Sequence, residues 1–381
     1  MNSFKEVYGY LEDSAYLAPA RVNLIGEHID YNGGLVFPCA ISLATKCYFK
    51  KRNDNKINLY SKNTDLFVKR SLDDISYKVE SDWANYPIGI IKILKDRGFI
   101  VDKGFDAYFE SNIPLGSGLS SSASILVLTC YMLKSEYNFD ISNEDIAKIA
   151  QETEIKYCGL SCGIMDQAII ALGKENKAML LDCAKFKYEY YDFNLGDYTL
   201  VVMATNKRRA LTESKYNERV EECNKALKLL NDNGFKLNNL CEFNPDLLDK
   251  AKNIITDQTI YKRFLHVVLE NKRVIDFKNA LLNKDIKLAA KLINESDYSL
   301  KNNYEVTGVH LDTITDLARK NEACIGARMT GAGFGGCAIA IVLKDKVNEF
   351  MNDVSTKYEK QLGIKPSFYI CDIIDGPRKI K

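Results

Sequence analysis

Between residues 17 and 70, apolar runs such as LVFPCAI, TKCYFK and KINLYS alternate with positions held by Gly, Asn and Asp. Short β-branched and aromatic runs punctuated by turn-formers predict a meandering sheet. From Trp83 the period lengthens. WANYPIGIIKILKDRG predicts a helix, FDAYFES a strand, and NIPLGSGLSSSASILVLTCYMLKSEY a loop running into a long apolar helix. A polar helix is expected near residues 142–157 and a short one around GIMDQAIIAL, followed by strands at KAMLLDC, FKYEYYDF and YTLVVMAT. Residues 212 to 320 read as helical. The chain then returns to strand at CIGARM, passes a glycine loop, and continues as a strand CAIAIVL, an amphipathic helix and a last strand PSFYICDI. In that helix Val347, Phe350, Met351, Val354, Tyr358 and Leu362 recur at helical spacing, so one face is expected to pack on a sheet. The order predicts an α+β protein in two parts, 1–190 and 191–381, with the boundary inside residues 185–200.

Composition narrows the function. A chain of 381 residues exceeds what one core usually organises. Apolar residues are 46% and charged residues 27%, as in ordinary globular proteins, so the whole chain is expected to fold. Lys plus Arg (52) nearly cancels Asp plus Glu (51), which leaves no bulk field for nucleic acid or an anionic membrane. A small neutral or locally charged ligand fits better. No uninterrupted apolar run reaches membrane-spanning length, and MNSFKEVYGYLEDSAY lacks a basic segment followed by an apolar one, so a cytoplasmic protein is expected. The eleven cysteines are scattered, odd in number and set in apolar runs; Cys158 and Cys162 have three residues between them, and there are only three histidines. Buried reduced thiols are expected rather than a disulfide framework or a zinc site.

Four segments carry candidate chemistry. GAGFGG matches G-x-G-x-x-G at Gly331, Gly333 and Gly336, but a dinucleotide fingerprint needs a helix after the glycines and a β-type run follows here. A protein-kinase glycine loop is also excluded, because nothing like H-R-D or D-F-G follows. A tight turn needing positive φ would explain the segment equally well. In PLGSGLSSSAS, Gly116 and Gly118 let backbone approach a ligand and the serines open a helix, where unpaired N–H groups favour an anion. No Lys closes the loop, so it is not a Walker A motif; ordinary capping accounts for part of it, but three serines exceed one cap. CGIMDQ sets Asp166 among apolar neighbours, where an acid needs a partner, structural or functional. ARVNLIGEHIDYNGG places Arg21, Glu27, His28 and Asp30 within ten positions.

Taken together and in order, these segments resemble the GHMP kinases, and ARVNLIGEHIDYNGG resembles the signature of their galactokinase branch. WANYPIG, CGIMDQ, LLDC, SKYNERVEEC, HVVLENKRV, SLKNNYEV and GARMTGAGFGGC extend the resemblance over residues 17–345. It implies a two-domain α+β GHMP kinase fold, with an N-terminal domain like the second domain of ribosomal protein S5, a ferredoxin-like C-terminal domain, and the active site between them. The implied reaction moves the γ-phosphoryl group of ATP to the C1 hydroxyl of α-D-galactose.

Matched position by position, the resemblance makes Asp166 the catalytic acid-base residue and Arg21 the arginine that pairs with it and stabilises transferring charge. Glu27, His28, Asp30, Gly163 and Tyr216 become galactose ligands. Gly116, Ser117, Gly118, Leu119, Ser120, Ser121 and Ser122 become triphosphate contacts, with Ser61 a further nucleotide contact. Ser122 and Glu154 match Mg²⁺ ligands, and the TGAGFGG loop borders the phosphates. A monomer with small-molecule partners only, galactose and ATP, is implied. Three positions depart from the pattern: Ala20 where Gly is usual, Leu126 where an acid is common, and Asp297 where His is frequent. The rivals are a kinase of N-acetylgalactosamine or arabinose and a galactose sensor without activity. The N-acetylgalactosamine kinases resemble DYCGY where this chain has DYNGG, and some sensors lack part of the serine loop that is whole here.

Overall fold

The turn-punctuated runs of the first quarter form strands in the computed structural model, but not the expected meander: Phe105–Ser111 comes between Pro38–Lys51 and Lys56–Ser61 and pairs in parallel with the latter, which no local period announces. The structure describes residues 3–381 apart from Leu115, Ser117 and residues 208–211, and of residues 212 and 213 the backbone alone. Along the chain come helix α1 (Phe4–Tyr8), strands β1 (Ser14–Asn23), β2 (Leu35–Val36), β3 (Pro38–Lys51), β4 (Lys56–Ser61) and β5 (Leu66–Ser71), helix α2 (Asn85–Asp96) and strand β6 (Phe105–Ser111). Helices α3 (Ser121–Glu136), α4 (Asn143–Glu152) and α5 (Met165–Leu172) follow, then strands β7 (Lys177–Asp182) and β8 (Lys187–Asp192). The second half has β9 (Tyr198–Ala204), α6 (Thr212–Asp232), α7 (Leu248–Ile254), α8 (Gln258–Leu282), α9 (Ile286–Ser299), α10 (Gly308–Lys320), β10 (Cys324–Thr330), β11 (Cys337–Leu343), α11 (Val347–Leu362), β12 (Ser367–Ile370) and β13 (Arg378–Lys379).

Among the described residues three sheets result, in the orders β13-β1-β3-β6-β4-β5, β10-β11-β9-β12 and β2-β7-β8. In the first, β1 lies antiparallel to β3 with a bulge between Pro19 and Ala20, just before Arg21. Helix α3 packs on β1 and β3 and touches α2, α4 and α5. Being enclosed over most of its middle, it is largely apolar there, with Leu126, Val127, Leu128, Met132 and Leu133 sealed from solvent. An acid in place of Leu126 would be buried without a partner there, so this departure suits the packing. The other face of the sheet carries a small aromatic cluster of Phe4, Tyr60 and Tyr108, which holds α1 down.

The four-stranded sheet is antiparallel throughout. CAIAIVL forms β11 between β10 and β9, and its continuous burial explains why it reads as an unbroken apolar run. Val347, Phe350, Val354 and Tyr358 of α11 turn inward, as their spacing predicts. The expected last strand is shorter than PSFYICDI. It ends at Ile370, after which Ile373 bridges Ile41 and β13 pairs with Tyr16 and Leu17, so the chain's last residues return to the first sheet. None of the eleven cysteines is bonded to another. Among the described residues no helix is long and apolar enough to cross a membrane.

Candidate active site

The pair at the centre of the site joins β1 to the first turn of α5. Arg21 Nε and Nη2 donate to Asp166 Oδ1 and Oδ2 at 2.7 and 2.7 Å, and Nη1 donates to the Gly118 carbonyl at 2.8 Å. The fork matches both carboxylate oxygens, the strong geometry for such a pair. The Arg21 side chain is 4% exposed and that of Asp166 29%, so the cation is sealed and the carboxylate opens on a cavity of about 320 Å³. Burial opposes the charge on Arg21, but the Asp166 carboxylate more than offsets it and raises the guanidinium pKa. The Ser120 hydroxyl donates to Asp166 Oδ2 from a left-handed backbone (φ 62°, ψ 48°) at the mouth of α3.

The same cavity is lined by Glu27, His28, Asp30, Gly163 and Tyr216. Glu27 Oε1 accepts from the Gly331 amide, while Oε2 accepts from Asn23 Nδ2 and ion-pairs with Arg328 Nη2 at 3.0 Å. A carboxylate has about four acceptor sites, which leaves room for a ligand hydroxyl. His28 Nε2 lies 3.3 Å from the Ala332 carbonyl and Nδ1 3.0 Å from the Tyr31 hydroxyl. The neutral ring therefore carries its proton on Nε2, and burial holds the pKa down at about 3. Asp30 is pushed up to about 7 by burial and by the nearby Asp166 charge. Gly163 is required by close approach, since a Cβ there would sit 1.8 Å from Asp30 Oδ2. The Tyr216 ring on α6 stands 5.8 Å from His28 and 5.2 Å from Tyr31.

Ser122 and Glu154 reach the cavity from α3 and from a π-helical turn, Thr153–Tyr157, an irregularity frequent at functional sites. The Ser122 hydroxyl hydrogen-bonds Glu154, whose pKa is raised by burial. A hard divalent cation suits this donor set: it would relieve the buried charge, and Gln167 Oε1 alongside is a buried acceptor without a partner among the described residues. Leu119 and Gly118 support the site through backbone, the Leu119 carbonyl accepting from the Arg21 amide at 3.4 Å. Gly116, Gly118, Leu119 and Ser120, on the loop beside it, and Ser121, the first residue of α3, lie outside the cavity wall. Ser117 lies outside the described residues. Ser61 closes β4, its hydroxyl accepting from the Thr64 amide at 3.4 Å, and does not line the cavity. The two glycine loops meet: Gly331 (φ 84°) leaves no space for a Cβ, which would stand 2.5 Å from the Gly118 carbonyl.

Several supporting residues carry no local signal. Helix α8 holds the segment from Gly26 to Leu35: Glu270 Oε1 accepts from the Gly26 amide at 2.9 Å, His266 Nε2 lies 3.1 Å from the Glu27 carbonyl, and Asn271 Oδ1 accepts from the Leu35 amide at 2.9 Å. Tyr304 lines up behind His28, its hydroxyl 2.7 Å from that of Tyr31. Asp297 accepts from the Met329 amide at 2.9 Å and from Arg319 at 2.6 Å, so the acid at this departure braces β10, the strand leading into the glycine loop.

Known proteins resemble the chain over nearly its whole length. Family models match as the galactokinase galactose-binding signature over residues 2–51, the GHMP kinases N terminal domain over 85–174 and the GHMP kinases C terminal domain over 277–360. The chain is 44% identical to a galactokinase of Fusobacterium nucleatum over 384 residues, covering 100% of this chain and 99% of the relative. It is 47% identical to one of Clostridium tetani over 378 residues, covering 99% and 96%. Among solved structures, the Lactococcus lactis galactokinase complexed with galactose superposes with a TM-score of 0.96 at 41% identity, over 99% of this chain and 98% of that one. A mevalonate kinase at 20% identity and TM-score 0.66, over 95% of this chain and 99% of that one, shares the fold.

Proposed function

This chain belongs to the galactokinase family of GHMP kinases, and from that premise we propose that Asp166, paired with Arg21, is the base that prepares the C1 hydroxyl of galactose for phosphorylation by ATP. The observation that carries the proposal is the bidentate pair itself, whose carboxylate opens on the cavity that Glu27, Asp30 and Tyr216 line. The chain is an ATP-dependent sugar kinase that converts galactose to galactose 1-phosphate. Its residues have to position two substrates and stabilise moving charge. The C1 oxygen forms its bond to the γ-phosphorus as the bridging oxygen leaves with ADP, and Asp166 takes the hydroxyl proton.

Glu27 and Asp30 accept from sugar hydroxyls, and His28 offers Nε2–H, now only loosely engaged with Ala332 at 3.3 Å. Sites that bond a hydroxyl reject an isomer placing it elsewhere, because buried polar atoms are then left unpaired. Gly116, Gly118, Leu119 and Ser120, with Ser121 and Ser122 at the start of α3, would border the triphosphate, where the helix's unpaired amides suit an anion. Ser122 and Glu154 would hold Mg²⁺, which would screen triphosphate charge. Ser61, outside the cavity wall, is at most a remote nucleotide contact. Incubation with ATP and a panel of galactose, N-acetylgalactosamine, arabinose and glucose, with phosphorus NMR of the products, tests the reading. Galactose should yield an α-1-phosphate far faster than the others. Galactose binding without turnover would instead make the chain a sensor.

A further inference from the structure

Gln167 follows Asp166 on α5, lines the same cavity, and is 1% exposed. Its amide is half used. Nε2 donates to Glu154 Oε2 and lies 3.8 Å from Cys162 Sγ, whereas Oε1 is buried with no hydrogen-bond partner among the described residues. Buried amide oxygens are almost always paired, and an exception at a polar cavity marks the place of something that binds there. The amide cannot turn over to solve the problem, because its oxygen would then face the Glu154 carboxylate. Glu154 thereby fixes the orientation of the amide at the cavity wall.

We propose that Gln167 is a positioning residue of the cation site, fixing Glu154 through Nε2 and presenting Oε1 to a water in the shell of the bound Mg²⁺. The inference rests on the reading of Ser122 and Glu154 as the cation's ligands. Mg²⁺ dehydrates reluctantly and is commonly held by one or two protein oxygens with several waters, so acceptors for those waters form part of the site. Partners that orient a metal's ligands typically affect affinity by about 10- to 100-fold. Adjacent positions on α5 thus divide the work, Asp166 turning to Arg21 and Gln167 to Glu154. A Gln167 that merely satisfied Glu154 for folding would leave its oxygen unexplained and metal affinity unmoved.

The test uses Gln167→Met, which keeps length and removes both polar groups, with Gln167→Leu as a second variant and Glu154→Gln as reference. Mn²⁺ is titrated into each full-length protein with ATP and followed by electron paramagnetic resonance, and galactose affinity is measured by calorimetry to certify the fold. Under the proposal both Gln167 variants bind Mn²⁺ at least about tenfold more weakly while galactose affinity stays within about twofold. If Glu154→Gln weakens Mn²⁺ and the Gln167 variants do not, Gln167 has no part in the cation site and the proposal is overturned. If none of the three variants changes Mn²⁺ affinity, the placement of the cation at Ser122 and Glu154 fails, and the proposal with it.

Discussion

Removing the acceptor at Asp166 without changing its shape separates chemistry from binding. Asp166→Asn should lower kcat by roughly 10²- to 10⁴-fold with the KM for galactose little changed, as for loss of a general base. Arg21→Lys keeps the charge but loses the planar fork that spans both oxygens, so it should cost at least about tenfold. Because the two side chains act as one unit, the double variant should lose less than the product of the single losses; strictly multiplicative losses in steady-state kinetics would mean separate roles. Asp30 gives a different signature. Its folded pKa of about 7 lies above the ordinary 3.8, so between those values the native state holds a proton that the unfolded state has released. Stability is therefore lost as pH rises through that window. Asp30→Asn removes this slope, and its denaturation midpoint should gain on that of the parent between pH 4 and 7, while galactose affinity falls. A constant difference across that range would show that Asp30 titrates normally.

At the scale of elements, the segment from Gly26 to Leu35, which we propose binds the sugar, is braced by α8. Glu270 is fully buried and accepts from the Gly26 amide, from Ser296 and from Arg273 Nε at 2.7 Å, and its neighbours hold its pKa down at about 2 against the penalty of burial. Breaking one side of a buried ion pair typically costs about 3–5 kcal/mol, so Glu270→Gln should lower stability by about 3 kcal/mol in urea denaturation. It should also raise the KM for galactose more than that for ATP, because Gly26 precedes Glu27; an equal rise in both would place the effect in general loosening. Such supports explain what the sequence could not reveal. The helices and strands were legible because their periods are local, and GEHID, the serine loop and CGIMDQ were legible as compact motifs. His266 and Glu270 lie inside HVVLENKRV, but their partners stand about 240 positions away, and spacing carries no trace of that. Strand β13 escaped notice because two residues, Arg378 and Lys379, make no period. Asp297 read as a departure until its bonds to Met329 and Arg319 came into view.

Across the whole molecule, the sugar segment, α8 and the glycine loop meet around two histidines that are neutral because they are buried. His28 and His266 have folded pKa values of about 3 and about 4, against 6.5 when free. Between about pH 4 and 6.5 the unfolded chain thus binds two protons that the native chain refuses, and stability falls as pH falls through that window. Asp30 works in the opposite direction over much of the same range and cancels part of the slope. The carboxylate facing His266, Glu270, titrates near 2, below this window, so it does not reverse the effect. One proton is worth about 1.4 kcal/mol per pH unit. His266→Gln, whose amide can still bond the Glu27 carbonyl, should start less stable at pH 7 yet lose stability more slowly on acidification, by about that amount per unit between pH 6 and 4.5. Guanidinium denaturation at four pH values measures both slopes. Parallel curves for the variant and its parent would mean that His266 takes up its proton in the native state, and that the junction between the two halves admits charge or water where the packing closes it.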